Sequence, residues 1–243
     1  MGILYVVGTP IGNLGDFSPR AVETLEKVDF IAAEDTRVTV KLLNHFGIKK
    51  PMVIYQKFNE YEQGDIIVSR LQSGESCAIV TDAGMPCISD PGETLVKLCI
   101  KADVKVEVVP GPSAVVSALA VSGLSVSRWT FEGFLSVKRT SRMEHLMELR
   151  HERRTMVFYE APHKLVSTLE DMAEYFGADR PLSLCRELTK LHEEVVRTTL
   201  GGAIEKYTEN APKGEFVLVV AGAPEQEKEV ATEDDAAARV QQL

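Results

Sequence analysis

Several things are missing from this sequence, and each absence removes a class of protein. No apolar run approaches the ~20 residues that a bilayer-spanning helix needs, so no membrane segment is expected. The opening, Met1-Gly2-Ile3-Leu4-Tyr5-Val6-Val7-Gly8, carries neither a basic stretch nor a cleavage site, and it reads as a first strand and not as a secretory signal. Val6 stands where myristoylation would need Ser or Thr. Cysteine is scarce: Cys77, Cys87, Cys99 and Cys185 show no CxxC or Cys/His spacing, which argues against a zinc site and suits the reduced thiols of a cytoplasmic protein. No Gly-Lys-Ser/Thr triplet exists, so a Walker phosphate loop is excluded. The segment Gly8 to Asp16 is glycine-rich and Glu34-Asp35 follow at a suggestive distance, but Pro10 fills the turn that a dinucleotide loop must leave open, and helical pattern begins only after Ser18. No internal repeat is present.

What remains is an ordinary soluble composition, with 44% hydrophobic and 26% charged residues over 243 positions, enough for one large domain or two of usual size. The net charge of −9 argues at face value against a nucleic-acid partner. The charge is uneven, however. Glu225, Glu227, Glu229, Glu233, Asp234 and Asp235, set against Lys228 alone, supply more than half of it, which leaves the body of the chain only mildly acidic.

Apolar runs and helical patterns alternate through the first hundred residues. Ile3 to Gly8, Phe30 to Ala33, Met52 to Tyr55, Cys77 to Val80 and Val104 to Val109 read as strands. Between them, Ser18-Pro19 caps and opens one helix, Gly47 stops a second that runs from Thr39 to Phe46, and Tyr61 to Leu71 is a third. Alternation of this kind predicts an α/β protein with parallel strands and helices on both faces. Beyond Pro110-Gly111-Pro112 the texture changes. Strands are expected at Trp129 to Leu135, Thr155 to Tyr159, Leu182 to Arg186 and Phe216 to Val220, with a charged helix from Ser141 to Arg150. The expected architecture is two α/β domains with mostly parallel sheets, residues 1–111 and 112–223, followed by a loose acidic tail over residues 224–243.

The chemistry-bearing stretches fall at strand ends. Thr81-Asp82-Ala83-Gly84-Met85-Pro86-Cys87-Ile88-Ser89-Asp90-Pro91-Gly92 follows a buried strand and is built from residues that bend the chain and expose backbone, either as a bare crossover turn or as a shelf for a small molecule. Glu34-Asp35-Thr36-Arg37 places two carboxylates and a guanidinium at another strand end, as a surface ion pair with a helix cap or as ligand groups. Ser113, behind Pro110-Gly111-Pro112, is first of all a helix cap, with a hydroxyl that can also serve a ligand. From Lys138 to Arg154, Lys138, Arg139, Arg142, Arg150, Arg153 and Arg154 outnumber Glu144, Glu148 and Glu152, which makes this the place for a phosphate backbone to dock. A solvated helix face is the plainer explanation of such a run.

Taken together, Thr9-Pro10-Ile11-Gly12-Asn13-Leu14, Glu34-Asp35-Thr36-Arg37, Thr81 to Pro86, Ser89-Asp90-Pro91-Gly92, Pro110 to Ser113, Gly133-Phe134-Leu135, Tyr159-Glu160-Ala161-Pro162-His163 and Arg186-Glu187-Leu188-Thr189-Lys190 resemble the ribosomal small-subunit RNA methyltransferase I family. These are the 16S rRNA cytidine 2′-O-methyltransferases within the tetrapyrrole-methylase superfamily, the class III S-adenosylmethionine enzymes. The blocks run in order from residue 3 to about residue 223. Departures are Ser136, where the family usually has Pro, and Lys164, where Arg is common; members also generally continue into a C-terminal helical segment, whereas this sequence ends at Leu243 in an acidic run. The resemblance implies S-adenosylmethionine held in a cleft between the two domains, a homodimer, and the 30S subunit or its 16S rRNA as partner. It implies cofactor contacts from Pro10, Asp82, Ala83, Gly84, Ile88, Ser113, Ala114, Tyr159 and Leu188, RNA contacts from Arg37, Lys138 and Arg139, and no metal. Asp35 and Glu160 are the candidates for the general base that a 2′-hydroxyl calls for. A methylase acting on a tetrapyrrole or other small molecule, and a non-enzymatic ribosome-associated binding module, are the alternatives.

Overall fold

A computed structural model describes residues 1–225; the acidic tail expected over residues 224–243 therefore lies almost wholly outside the described residues. The strands are β1 (Ile3–Val7), β2 (Phe30–Ala33), β3 (Met52–Ile54), β4 (Cys77–Val80), β5 (Lys105–Val109), β6 (Trp129–Phe134), β7 (Thr155–Glu160), β8 (Pro181–Arg186), β9 (Glu194–Thr199) and β10 (Phe216–Val220). The α-helices are α1 (Pro19–Lys27), α2 (Thr36–His45), α3 (Glu60–Gln72), α4 (Glu93–Lys101), α5 (Ala114–Ser122), α6 (Arg139–Glu148), α7 (Leu165–Phe176) and α8 (Leu200–Glu209). No helix among the described residues is long and apolar enough to cross a membrane.

The first five strands form one sheet in the order β3-β2-β4-β1-β5, and every pairing is parallel. The strands of its middle are apolar at successive positions because both faces are covered. Leu4, Val6, Phe30, Ala32, Cys77 and Ile79 point to one face and meet Ile67 and Leu71 of α3 with Leu95 and Cys99 of α4. Their alternates Val7, Ile31, Ala33, Ala78 and Val80 point to the other face and meet Ala21 and Leu25 of α1 with Leu43 of α2. Local signals set the helix starts. Ser18 Oγ accepts from the Ala21 N–H at 3.1 Å with Pro19 at the first helical position, and Asp35 Oδ1 accepts from the Arg37 N–H at 2.8 Å.

The remaining strands form a second sheet in the order β6-β7-β10-β8-β9. Here the expectation of mostly parallel strands needs correcting. Only β6 and β7 are parallel, while β7–β10, β10–β8 and β8–β9 are antiparallel. The reason lies in the connections: β8 runs to β9 through a short loop with no helix between them, and a short connection of that kind reverses the chain. One face of this sheet packs Met156, Phe158, Leu184 and Leu218 on α6, α7 and α8; the other packs Val157, Cys185, Val217 and Val219 on Val115, Ala118 and Leu119 of α5. Ile11, from the loop after β1, packs against this second face and so joins the strand ends of the first sheet to it.

Candidate active site between the two sheets

Because the first sheet is wholly parallel, the loops after β1, β2, β4 and β5 all leave its carboxyl edge, where open α/β sheets bind ligands. Two of these loops are laced together. Thr9 and Gly84 exchange backbone hydrogen bonds of 2.9 and 3.2 Å, and Thr9 Oγ1 donates to the Thr81 carbonyl at 3.1 Å. The loops after β1 and β5 also touch: a Cβ added at Gly8 would sit 2.8 Å from Gly111 Cα and 2.6 Å from Met85 Sδ. From the other side, Thr189 and Lys190 close on Gly12, whose missing side chain leaves them room.

These loops and the second sheet enclose a cavity of about 440 Å³. Ile11, Ala83, Gly84, Met85, Ile88, Ser89 and Asp90 line it from the first sheet's loops; Ser113 and Ala114 line it from the start of α5; Phe134, Tyr159, Glu160, Leu188 and Val217 are among those that line it from the second sheet. Of the residues singled out in the sequence, Ala83, Gly84, Ile88, Ser113, Ala114, Tyr159, Leu188 and Glu160 thus converge on one cavity. Pro10, Asp82, Asp35, Arg37, Lys138 and Arg139 are not among its lining residues.

Ser113 differs from the simple cap expected of it. It occupies the N-cap position of α5, yet its side chain caps no helical N–H, which leaves the hydroxyl for the cavity. Tyr159 packs edge-on to Phe131, with ring centroids 5.0 Å apart, and lies against Phe134 at 5.3 Å. Its hydroxyl is pushed up to about 12, chiefly by burial and then by the charge of Asp90.

Backbone strain concentrates on two of the loops. Among the described residues, five non-glycine positions have positive φ. Cys87 (73°) and Ser89 (68°) lie after β4, and Glu187 (50°) and Thr189 (67°) after β8. Such conformations are disfavoured for residues with a Cβ and persist where the surroundings impose them, commonly at ligand-binding loops.

The carboxylates divide into satisfied and unsatisfied groups. Glu160 is 4% exposed and fully engaged, Oε2 accepting from Thr168 Oγ1 at 2.6 Å and Oε1 from the Ala161 N–H at 2.8 Å. Glu187 and Glu215 share the Lys190 ammonium at 2.9 and 2.8 Å. Asp35 accepts from Arg37 Nε and Nη2 at 3.0 and 2.6 Å, and these bonds hold its carboxyl down at about 2. Each of these groups is tied to a donor within the protein, and the bonds to Asp35 and Glu187 hold both carboxyls below the usual range. Burial raises Glu34, Asp82 and Asp90, the last to about 6; Glu34 and Asp82 each accept a backbone N–H, whereas Asp90 accepts from no described donor. In the sequence Asp90 stands only as one acid of a bent loop. The signal for it was an acid enclosed by Ser89, Pro91 and Gly92, and burial decides what that acid does.

The lining suits a flat, mostly apolar ligand that carries positive charge. Small and aliphatic groups (Ile11, Ala83, Gly84, Ala114, Leu188) supply the walls, and Asp90, Glu160, Glu187 and Glu215 outnumber Lys190. A cation bound there would relieve the mutual repulsion that helps raise Asp90.

Comparisons with known proteins converge. The sequence model of the family described as Tetrapyrrole (Corrin/Porphyrin) Methylases matches residues 3–204. A protein named ribosomal RNA small subunit methyltransferase I from Synechocystis sp. is 51% identical, with 97% of this chain and 84% of the relative covered. Its namesake from Thermotoga maritima is 47% identical, with 91% and 99% covered. Among solved structures, the methyltransferase CobJ superposes with a TM-score of 0.67 at 17% identity over 94% of this chain and 97% of the other. Cobalt precorrin-4 methyltransferase, CbiF, gives 0.63 at 21% over 89% and 94%. At these identities the structural likeness speaks to the fold alone.

Proposed function

The chain belongs to the tetrapyrrole methylase family and groups within it with the ribosomal RNA small subunit methyltransferase I proteins, and from that premise we propose that it methylates the ribose 2′-oxygen of a cytidine in 16S rRNA with S-adenosylmethionine as donor. The observation that carries the reading is the cavity at the strand ends, whose walls and excess of carboxylates fit an adenosine bearing a sulfonium. When bound, the cofactor supplies a methyl group already activated by positive sulfur, so the protein's task is positioning.

In this reading the backbone of Ala83 and Gly84, with Ile88, forms the shelf on which the cofactor lies. Ser113 and Ala114 offer a free hydroxyl and the N–H groups of the first turn of α5, while Tyr159 and Leu188 close the far wall. Pro10 shapes the loop laced to Gly84, and Asp82 stands just outside, its N–H donating to Glu34 Oε2 at 3.3 Å. Asp35 and Arg37, at the start of α2 on the same sheet edge, form a charged rim; for Asp35 to act as a base it must first leave Arg37. Glu160 holds the turn into α7 through Ala161 and Thr168.

RNA phosphates dock on Arg37, Lys138 and Arg139, all exposed. Arg142, on the first turn of α6, is turned inward to Asp171 and to the Ser136 carbonyl and serves to hold Lys138 and Arg139, at the start of that helix, in place. Residues 1–111 and 112–223 act as the two lobes around the cofactor, in a homodimeric cytoplasmic enzyme. The 44–51% identities are to proteins named for ribosomal RNA, which favours rRNA over a tetrapyrrole or other small-molecule acceptor and over a non-enzymatic binding module.

The test is incubation of the protein with radiolabelled S-adenosylmethionine and either 30S subunits or free 16S rRNA, followed by nucleoside analysis. Label in a 2′-O-methylated cytidine is the expected result. Label confined to small molecules, to protein or to a base carbon or nitrogen would overturn the proposal.

A further inference from the structure

We propose that Asp90 is the general base of this site, its carboxylate accepting the proton of the ribose 2′-hydroxyl as the methyl group is transferred. The inference rests on the methyltransferase reading above and supplies the one group that reading lacks, an acceptor for the proton.

Asp90 lines the cavity together with Gly84 and Ile88 from the first sheet's loops and Phe134 and Tyr159 from the second sheet, and its charge acts on the Tyr159 hydroxyl. Its backbone is held from several directions. The Cys87 N–H donates to the Pro91 carbonyl at 3.2 Å, which closes the loop on itself, and Lys57 Nζ donates to the Ser89 carbonyl at 2.8 Å. A Cβ added at Gly133 on β6 would lie only 3.4 Å from Ser89 Oγ, so the loop is also seated against the second sheet. Positive φ at Cys87 and Ser89 shows that these restraints fix a conformation the chain would not choose alone.

The carboxylate itself receives no hydrogen bond from the described residues. It is the exception in the lining, where Glu160, Glu187 and Glu215 are each tied to internal donors. The charged and titratable groups around Asp90 are Glu34 from the end of β2, Asp82 and Cys87 from its own loop, Lys57 from the loop after β3 and Tyr159 from β7. The Lys57 ammonium is directed at the Ser89 carbonyl, and the acids prevail. Burial first and Glu34 next push the carboxyl up to about 6. A base titrating just below the working pH is mostly ionised yet basic enough to take a proton in the transition state.

The step balances. The 2′-oxygen forms a bond to the methyl carbon, the carbon–sulfur bond breaks with its electron pair returning to sulfur, and the hydroxyl proton moves to the Asp90 carboxylate. The sulfonium and carboxylate charges cancel together, and Asp90 releases its proton to solvent as the products leave.

The experiment uses the full chain, 30S subunits and radiolabelled cofactor, with calorimetry of S-adenosylhomocysteine binding alongside. Asp90→Asn is expected to lower the single-turnover rate at saturating cofactor by about 10²–10⁴-fold, to abolish the wild-type acidic limb centred near pH 6, and to leave S-adenosylhomocysteine affinity at the wild-type value. Asp90→Glu, which keeps the carboxylate, should retain an acidic limb at reduced rate and serves if the Asn variant fails to fold. A persisting limb near pH 6 in Asp90→Asn, or lost affinity with an unchanged saturated rate, would overturn the assignment. Absence of ribose methylation by the wild-type protein would instead overturn the function proposed above, an outcome distinguishable from failure of Asp90 alone.

Discussion

Replacing Arg142 by Ala should unfold the protein more readily than removal of any exposed arginine, because Arg142 is half of a buried ion pair. Its side chain is 11% exposed and that of Asp171 is 8%. Nε and Nη2 both reach Asp171 Oδ2 at 2.6 Å, and Nη1 donates to the Ser136 carbonyl at 3.1 Å, so one guanidinium ties α7 to the loop before α6 and to the helix start that carries Lys138 and Arg139. Truncation strands Asp171 in a site where the remaining cation, Arg139, lies 3.5 Å away and is itself 68% exposed. Losing one member of a buried pair costs about 3–5 kcal/mol; partial compensation by Arg139 places the expectation at the low end, about 3 kcal/mol. At ~2–4 °C per kcal/mol for a chain of this length, Tm should fall by about 6–12 °C. Thermal and urea unfolding of Arg142→Ala, Asp171→Asn and the double variant measure this directly, and the double variant should lose less than the sum of the singles. In activity assays the same change should raise KM for the ribosomal substrate while leaving S-adenosylhomocysteine affinity intact, since the basic loop is loosened and the cavity is not. A Tm shift of under ~2 °C in Arg142→Ala, or single effects that simply add, would refute the claim that this pair anchors the loop.

Other perturbations test other parts of the molecule. Gly8→Ala would place a methyl 2.8 Å from Gly111 Cα and N; overpacking of this kind costs about 1–3 kcal/mol, and cofactor affinity should fall with it, measured by calorimetry. Asp35→Ala should raise KM for the ribosomal substrate, because Arg37 loses the carboxylate that orients it, while leaving cofactor binding near normal; loss of binding instead would assign Asp35 to the cofactor shelf or to the cap of α2, where it accepts from the Arg37 N–H. Asp90→Asn should stabilise the fold at neutral pH. The folded-state value, raised from 3.8 to about 6, means the native protein binds more protons than the unfolded chain between those values, so wild-type stability falls as pH rises through that window. At ~1.4 kcal/mol per pH unit the upper limit is about 3 kcal/mol, reduced to about 1 kcal/mol by solvent at the cavity mouth. The variant's advantage in Tm should therefore be present at pH 7 and vanish near pH 4; equal Tm values at both would contradict the burial of this charge.

Much of the architecture was legible in the residues alone, for identifiable reasons. Phe30 to Ala33 and Phe216 to Val220 are strands from end to end as read, since each is buried on both faces and bounded by polar or turn residues. Ser18-Pro19 opened α1 as expected because capping and the fixed φ of proline are local effects. The bent stretch Thr81 to Gly92 announced itself through its Gly, Pro and Asp content, and it does form one wall of the cavity. By contrast, β9 (Glu194–Thr199) and α8 (Leu200–Glu209) were not read. β9 is an edge strand of mixed polarity without the continuous apolar run of a buried one, and two glycines follow Leu200 in α8.

Tertiary structure alone decided the rest, since each remaining question concerns which partner a side chain meets far along the chain. Strand direction in the second sheet depends on which strands lie side by side, and β10 enters between β7 and β8. Arg142 counted as one basic residue among several until Asp171, on another helix, turned it inward. Glu160 and Asp90 are both acids near strand ends in sequence; Thr168 occupies the first, and the second is left half-buried in the cavity with acids for neighbours. Sequence pattern fixes which face of a strand or helix is apolar because that depends on residues a few positions apart. The charge state and partners of a carboxylate depend on everything within about a Debye length in space, and only the folded chain determines that.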